Sequence, residues 1–115
     1  MATWSTKTDT DAHFKRMLHW ALTPERTQNV RIGVAGQNLF DLAYAMHLAD
    51  ERGVRDAIEF EALTGFDGGP LRVARRDLGQ LRVYTPVAEP AEFDAAIAYL
   101  VRRLQEAAAP GNFLS

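Results

Sequence analysis

Apolar and polar positions change period along this chain in a way that separates strands from helices. Val30-Arg31-Ile32-Gly33-Val34-Ala35 is a short β-rich run ending at Gly36-Gln37, and Asn38 then supplies a helix cap with Asp41 three residues on, a capping-box variant. The predicted helix carries Leu39, Phe40, Leu42, Ala43, Met46 and Ala49 and stops at Gly53, a residue suited to the left-handed position after a helix. Ile58-Glu59-Phe60-Glu61-Ala62-Leu63 alternates apolar and acidic with period two and predicts a second strand. The loop Thr64 to Gly69 follows, Pro70 opens a helix ending near Gly79, and Leu81-Arg82-Val83-Tyr84 begins a third strand with Pro86 near its end.

At the chain's start, Trp4 to Thr8 reads as the end of a strand. Asp9, Thr10 and Asp11 offer caps for a helix from about Asp11 to Leu22, whose apolar side is Phe14, Met17, Leu18, Ala21 and Leu22. Thr23-Pro24 breaks that helix, and Glu25 to Asn29 reads as a polar connection. At the other end, a helix from about Pro90 to about Ala108 gathers Phe93, Ile97, Leu100, Val101 and Leu104 into one stripe, which is expected to face a core. Tyr99, Arg102, Arg103 and Glu106 then share the opposite side.

Strand and helix alternate, with crossovers long enough to make neighbouring strands parallel. In such folds ligands sit at the carboxyl ends of the strands, marked here by Lys7, Gly36-Gln37, Thr64-Gly65 and Tyr84-Thr85. About four βα units are half of what a closed barrel needs, so the chain reads as a fragment. Its two open parallel edges would favour pairing with another copy, closure into a small sheet, or aggregation.

Composition narrows the partners. The 115 residues are 47% hydrophobic, enough for one core, and 13 basic against 15 acidic residues leave no footprint for nucleic acid. No apolar run approaches the roughly 18 to 20 residues of a membrane span, and Met1 to Ser5 lack a signal-like hydrophobic region, so a cytoplasmic location is expected. The absence of cysteine excludes disulfides and thiol catalysis, and His13, His19 and His47 have no ligand spacing, so no metal site is expected.

Adjacent Arg102 and Arg103 suit capture of a small carboxylate or phosphate by paired guanidinium forks. Spacing alone favours a solvated face with an Arg102–Glu106 ion pair. Gly36 and Asn38 put free backbone N–H groups and the positive end of a helix beyond a strand, where an anion can bind, or else they merely turn and cap. Asp9, Asp11 and Asp67 read as caps and carry no assigned catalytic role.

The block Tyr99-Leu100-Val101-Arg102-Arg103-Leu104-Gln105-Glu106, followed by Asn112-Phe113, resembles the last barrel helix of the FAD-dependent proline dehydrogenase family, especially the form fused to a Δ1-pyrroline-5-carboxylate dehydrogenase. Ala35-Gly36-Gln37-Asn38 is similar to a family segment that contacts FAD, although Gln37 replaces the usual histidine and an amide carries no charge. Arg82-Val83-Tyr84-Thr85-Pro86-Val87 and Glu59-Phe60-Glu61-Ala62-Leu63 match further segments, and the Thr6-Lys7 region is a weaker match. The resemblance implies an α/β fold, a partial (βα)8 (TIM-like) barrel made of roughly its last four βα units with a parallel sheet. Residues 1–115 would then be the C-terminal half of a proline dehydrogenase domain. It further implies substrate contacts from Arg102, Arg103, Tyr84, Tyr99 and Leu63, and FAD contacts from Gly36, Gln37, Asn38, Thr6, Lys7, Thr10 and Glu106. L-proline, the missing N-terminal half, a Δ1-pyrroline-5-carboxylate dehydrogenase domain and a membrane quinone are the partners implied. The alternative is a non-catalytic small α/β module that binds an anion or a protein.

Overall fold

A computed structural model describes residues 4–36, 38–63 and 75–107. Gln37, the 64–74 segment holding the expected loop, Asp67 and Pro70, and the 108–115 segment with Ala108 and Asn112-Phe113 lie outside the described residues. The elements run α1 (Lys7–Ala21), α2 (Pro24–Thr27), β1 (Ile32–Ala35), α3 (Leu39–Glu51), a 3₁₀ turn (Arg55–Ala57), β2 (Ile58–Leu63), β3 (Leu81–Tyr84), a second 3₁₀ turn (Pro90–Glu92) and α4 (Phe93–Ala107). Residues 75–78 are also helical.

The three strands form one parallel sheet in the order β1-β2-β3. Alternation along β2 decides what each face holds: Ile58, Phe60 and Ala62 are buried, while Glu59, Glu61 and Leu63 look the other way and are half-buried. On the apolar face, Val34, Ile58, Phe60 and Ala62 join Leu18 of α1, Leu22 just past its end, and Leu42, Ala45, Leu48 and Ala49 of α3 in a single core. Phe60, 1% exposed, is the largest fully buried side chain. Arg52, just past α3, ties the two helices together. Its guanidinium donates to the carbonyls of His19 (2.6 Å) and Leu22 (2.8 Å) at the end of α1, and to His19 Nδ1 (2.8 Å). Because a guanidinium only donates, Nδ1 is the acceptor, and the proton on Nε2 is left to bond Tyr44 Oη of α3.

Three expectations need correction. Trp4 to Thr8 is no strand: Thr6 is the N-cap of α1, accepting from Asp9 N at 3.1 Å, so Lys7 begins a helix instead of ending a strand. The sheet among the described residues therefore has three strands. The connection after Thr23 contains a short helix, α2, opened by Pro24 at its first turn. Finally, the α4 stripe does not face a core: Phe93, Ile97, Val101 and Leu104 are 43–60% exposed. Amphipathicity fixes which side of α4 is apolar, but covering that side requires surface that the described residues do not supply.

Candidate active site

The second sheet face carries Gly33 and Ala35 of β1, Glu59, Glu61 and Leu63 of β2, and Arg82 and Tyr84 of β3. Parallel sheets are ordinarily covered on both faces, whereas among the described residues this one is polar and uncovered on one side. The register sets Glu61 opposite Arg82 and Leu63 opposite Tyr84. Yet each β3 side chain reaches the carboxylate one step back along β2: Arg82 Nη2 donates to Glu59 Oε2 at 2.9 Å, and Tyr84 Oη donates to Glu61 Oε1 at 3.1 Å. The hydrogen bond to Glu61 holds the Tyr84 phenol above its ordinary deprotonation range, because that bond is lost with the proton; desolvation and the neighbouring negative charge push the same way.

At the carboxyl ends of the three strands, Ala35, Gly36, Glu61, Ala62, Leu63 and Tyr84 line a cavity of about 300 Å³, at the small end of the range for ligand pockets. Gly36 donates its N–H to the Glu61 carbonyl at 3.1 Å. Among the described residues, a side chain at Gly36 would meet only Leu42 Cδ2, at an ordinary 3.6 Å, so their packing does not demand glycine there. The absence of a side chain lets a ligand approach this backbone closely, although the Gly36 N–H is already donated to Glu61. Immediately beyond, Asn38 caps α3, its Oδ1 accepting from Phe40 N at 3.0 Å, so the positive helix end begins beside this rim. A glycine turn feeding a helix amino terminus fits the anionic portion of a dinucleotide cofactor.

The sequence-predicted residues therefore fall into three groups. Gly36, Leu63 and Tyr84 share the cavity, and Asn38 flanks it. Tyr99, Arg103 and Glu106 form a second group on α4. There Arg103 Nη2 bonds Glu106 Oε1 at 2.8 Å and its guanidinium carbon lies 5.6 Å from the Tyr99 ring centre. Arg103 Nε is buried without a hydrogen-bond partner among the described residues, and Arg102 beside it is exposed. The third group, Thr6, Lys7 and Thr10, is engaged in the first turns of α1: Lys7 pairs with Asp11 at 2.6 Å, and the Thr10 hydroxyl donates to the Thr6 carbonyl at 3.0 Å. Gln37 lies outside the described residues. Sequence reasoning passed over Glu61 as a site residue. The signal was present in the period-two pattern, which puts Glu61 on the same face as Leu63.

A family profile described as proline dehydrogenase matches residues 1–115. Among solved structures, proline utilization A (PutA) from Corynebacterium freiburgense is 43% identical, with a TM-score of 0.81 over 90% of this chain. The match spans 11% of the length of that protein. Among curated protein sequences none matched.

Proposed function

Since the chain belongs to the proline dehydrogenase family, we propose that it forms the C-terminal half of a barrel domain that oxidises L-proline to Δ1-pyrroline-5-carboxylate with FAD as acceptor. The observation that carries this reading is the convergence of Gly36, Leu63 and Tyr84 on one cavity at the carboxyl rim of a parallel sheet, the location where barrel enzymes keep their chemistry. Bound FAD would supply the two-electron acceptor. The chain's own residues do the positioning.

In this reading Arg102 and Arg103 bind the proline carboxylate, and the two forks are not equivalent. Arg103 is already oriented by Glu106 and the Tyr99 ring, whereas Arg102 is exposed and can turn its donors to a ligand. Tyr84, Tyr99 and Leu63 wall the pyrrolidine ring, so that carboxylate capture and ring contact together fix the reacting carbon. Gly36, Gln37 and Asn38 hold part of FAD at the amino end of α3, with Thr6, Lys7, Thr10 and Glu106 as further contacts. Lys7 would exchange its Asp11 partner for a cofactor phosphate. The missing N-terminal half of the barrel supplies strands beyond the open edges of β1 and β3 and covers the exposed stripe of α4. A fused Δ1-pyrroline-5-carboxylate dehydrogenase domain, a membrane quinone acceptor and a cytoplasmic location complete the proposal, and the 115 residues alone should not turn over.

The complete protein is the test. It should purify yellow and reduce a dye when proline is added, and failure of both overturns the reading. Arg102→Ala should leave the flavin in place and raise the KM for proline by roughly 30- to 150-fold, since a charged hydrogen bond to a desolvated carboxylate contributes about 2–3 kcal/mol. An unchanged KM removes Arg102 from the clamp.

A further inference from the structure

The open sheet face contains one arrangement that the assignments above leave unused. Glu59 and Glu61 are successive residues on that face of β2, and Arg82 and Tyr84 are successive on β3. Arg82 lies opposite Glu61 yet bonds Glu59. Arg82 is thereby engaged with Glu59, and Glu61 accepts from Tyr84. Room for this comes from the neighbouring strand. A Cβ built on Gly33 would stand 2.6 Å from Glu61 Oε1 and 2.9 Å from Glu61 Cδ, distances that atoms do not tolerate. The Glu61 carboxylate therefore lies across the bare backbone of β1, in space that exists only because residue 33 has no side chain. Both Glu61 and Tyr84 line the cavity at the rim.

We propose that Glu61 is a positioning residue for proline oxidation: seated on Gly33, its carboxylate anchors the Tyr84 hydroxyl and so fixes the aromatic wall of the substrate pocket. This rests on the assignment of Tyr84 to that pocket. A neutral phenol tethered at its tip swings less about its two side-chain torsions, so a substrate meets a wall already in place and does not have to order it. Glu61 itself touches neither cofactor nor substrate in this scheme. It acts through Tyr84.

Steady-state kinetics on the complete flavoprotein test the idea, with flavin absorbance as the loading control. Glu61→Ala should raise the KM for proline about tenfold with kcat little changed, as expected for loss of one anchoring hydrogen bond. Glu61→Gln, whose amide oxygen still accepts, should remain within about threefold of the parent. Gly33→Ala should move the KM in the same direction as Glu61→Ala and by no more, because its Cβ pushes the flexible end of Glu61 aside without removing the carboxylate. Added to Tyr84→Phe, Glu61→Ala should cost nothing more. Spectrophotometric titration of the phenol gives a readout independent of turnover: Glu61→Ala should lower its midpoint. Additive effects in the Tyr84→Phe background, or an unmoved phenol midpoint, overturn the proposal. If Tyr84→Ala leaves the KM unchanged, the pocket assignment of Tyr84 falls. If Tyr84→Ala raises the KM and Glu61→Ala does not, that assignment stands and the positioning role falls.

Discussion

Replacing Arg52 with methionine should unlock the carboxyl end of α1 from α3. The guanidinium makes three contacts there, to the His19 and Leu22 carbonyls and to His19 Nδ1, and methionine keeps most of the aliphatic stem while removing every donor. Only the bond to Leu22 is part-buried, and it contributes most, about 1.5–3 kcal/mol for a hydrogen bond to a charged group. The two exposed contacts to His19 add little after solvent screening. A loss of about 2–3 kcal/mol follows, and native-state hydrogen exchange should report it as roughly 30- to 150-fold lower protection of the α1 amides. Arg52→Lys should fall between parent and methionine, because an ammonium cannot span the three acceptors that the planar fork reaches. Unchanged protection in Arg52→Met, or equal loss in both variants, would falsify the account of Arg52 as the tie between the helices.

Other expectations rest on separate features. Phe60→Ala empties the centre of the core and should cost about 3–5 kcal/mol, read as a lower denaturant midpoint. A cost below about 1 kcal/mol would mean that the helices collapse into the space. Gly53 has φ +66° with nothing near its Cβ position, so Gly53→Ala should cost about 1–2 kcal/mol from backbone strain alone, and no loss in thermal unfolding would contradict this. The Glu25 carboxyl is held below its ordinary value, chiefly by its own backbone N–H at the start of α2 and then by Thr23. A depressed value means the ionised form is favoured by folding, so this small contribution is full above the ordinary carboxylate range and disappears as pH falls through the folded value. Thr23→Ala should raise the Glu25 midpoint in an NMR titration, and an unmoved midpoint would exclude the Thr23 contribution.

Much of the architecture was legible where a single local rule dominates. The β2 span follows from strict alternation, Asn38 caps α3 as its side chain requires, and Gly53 takes the left-handed position after the helix. The start of α1 was misplaced because Thr6, Asp9, Thr10 and Asp11 are all competent caps, and propensity alone does not rank them. Thr6 prevails by a reciprocal arrangement in which its hydroxyl accepts from Asp9 N and donates to Asp9 Oδ2. The α4 stripe was located correctly and its surroundings were not, since periodicity describes one helix and burial depends on its neighbours. Within the site, Leu63 and Tyr84 could be placed together from strand ends. The Glu61–Tyr84 bond could not, because it depends on a diagonal between strands and on the space over Gly33.

The lower rim of the sheet has a consequence of its own. Arg55, just before β2, bonds the Asp77 and Leu78 carbonyls at 2.9 and 2.8 Å and lies 5.2 Å from the centre of the Phe60 ring. Because all three strands run the same way, this clasp at the start of β2 lies at the opposite end of the strand from Leu63, which lines the cavity. Substitutions that strengthen the Arg55 clasp can therefore harden one end of the layer without altering the residues that line the cavity at the other.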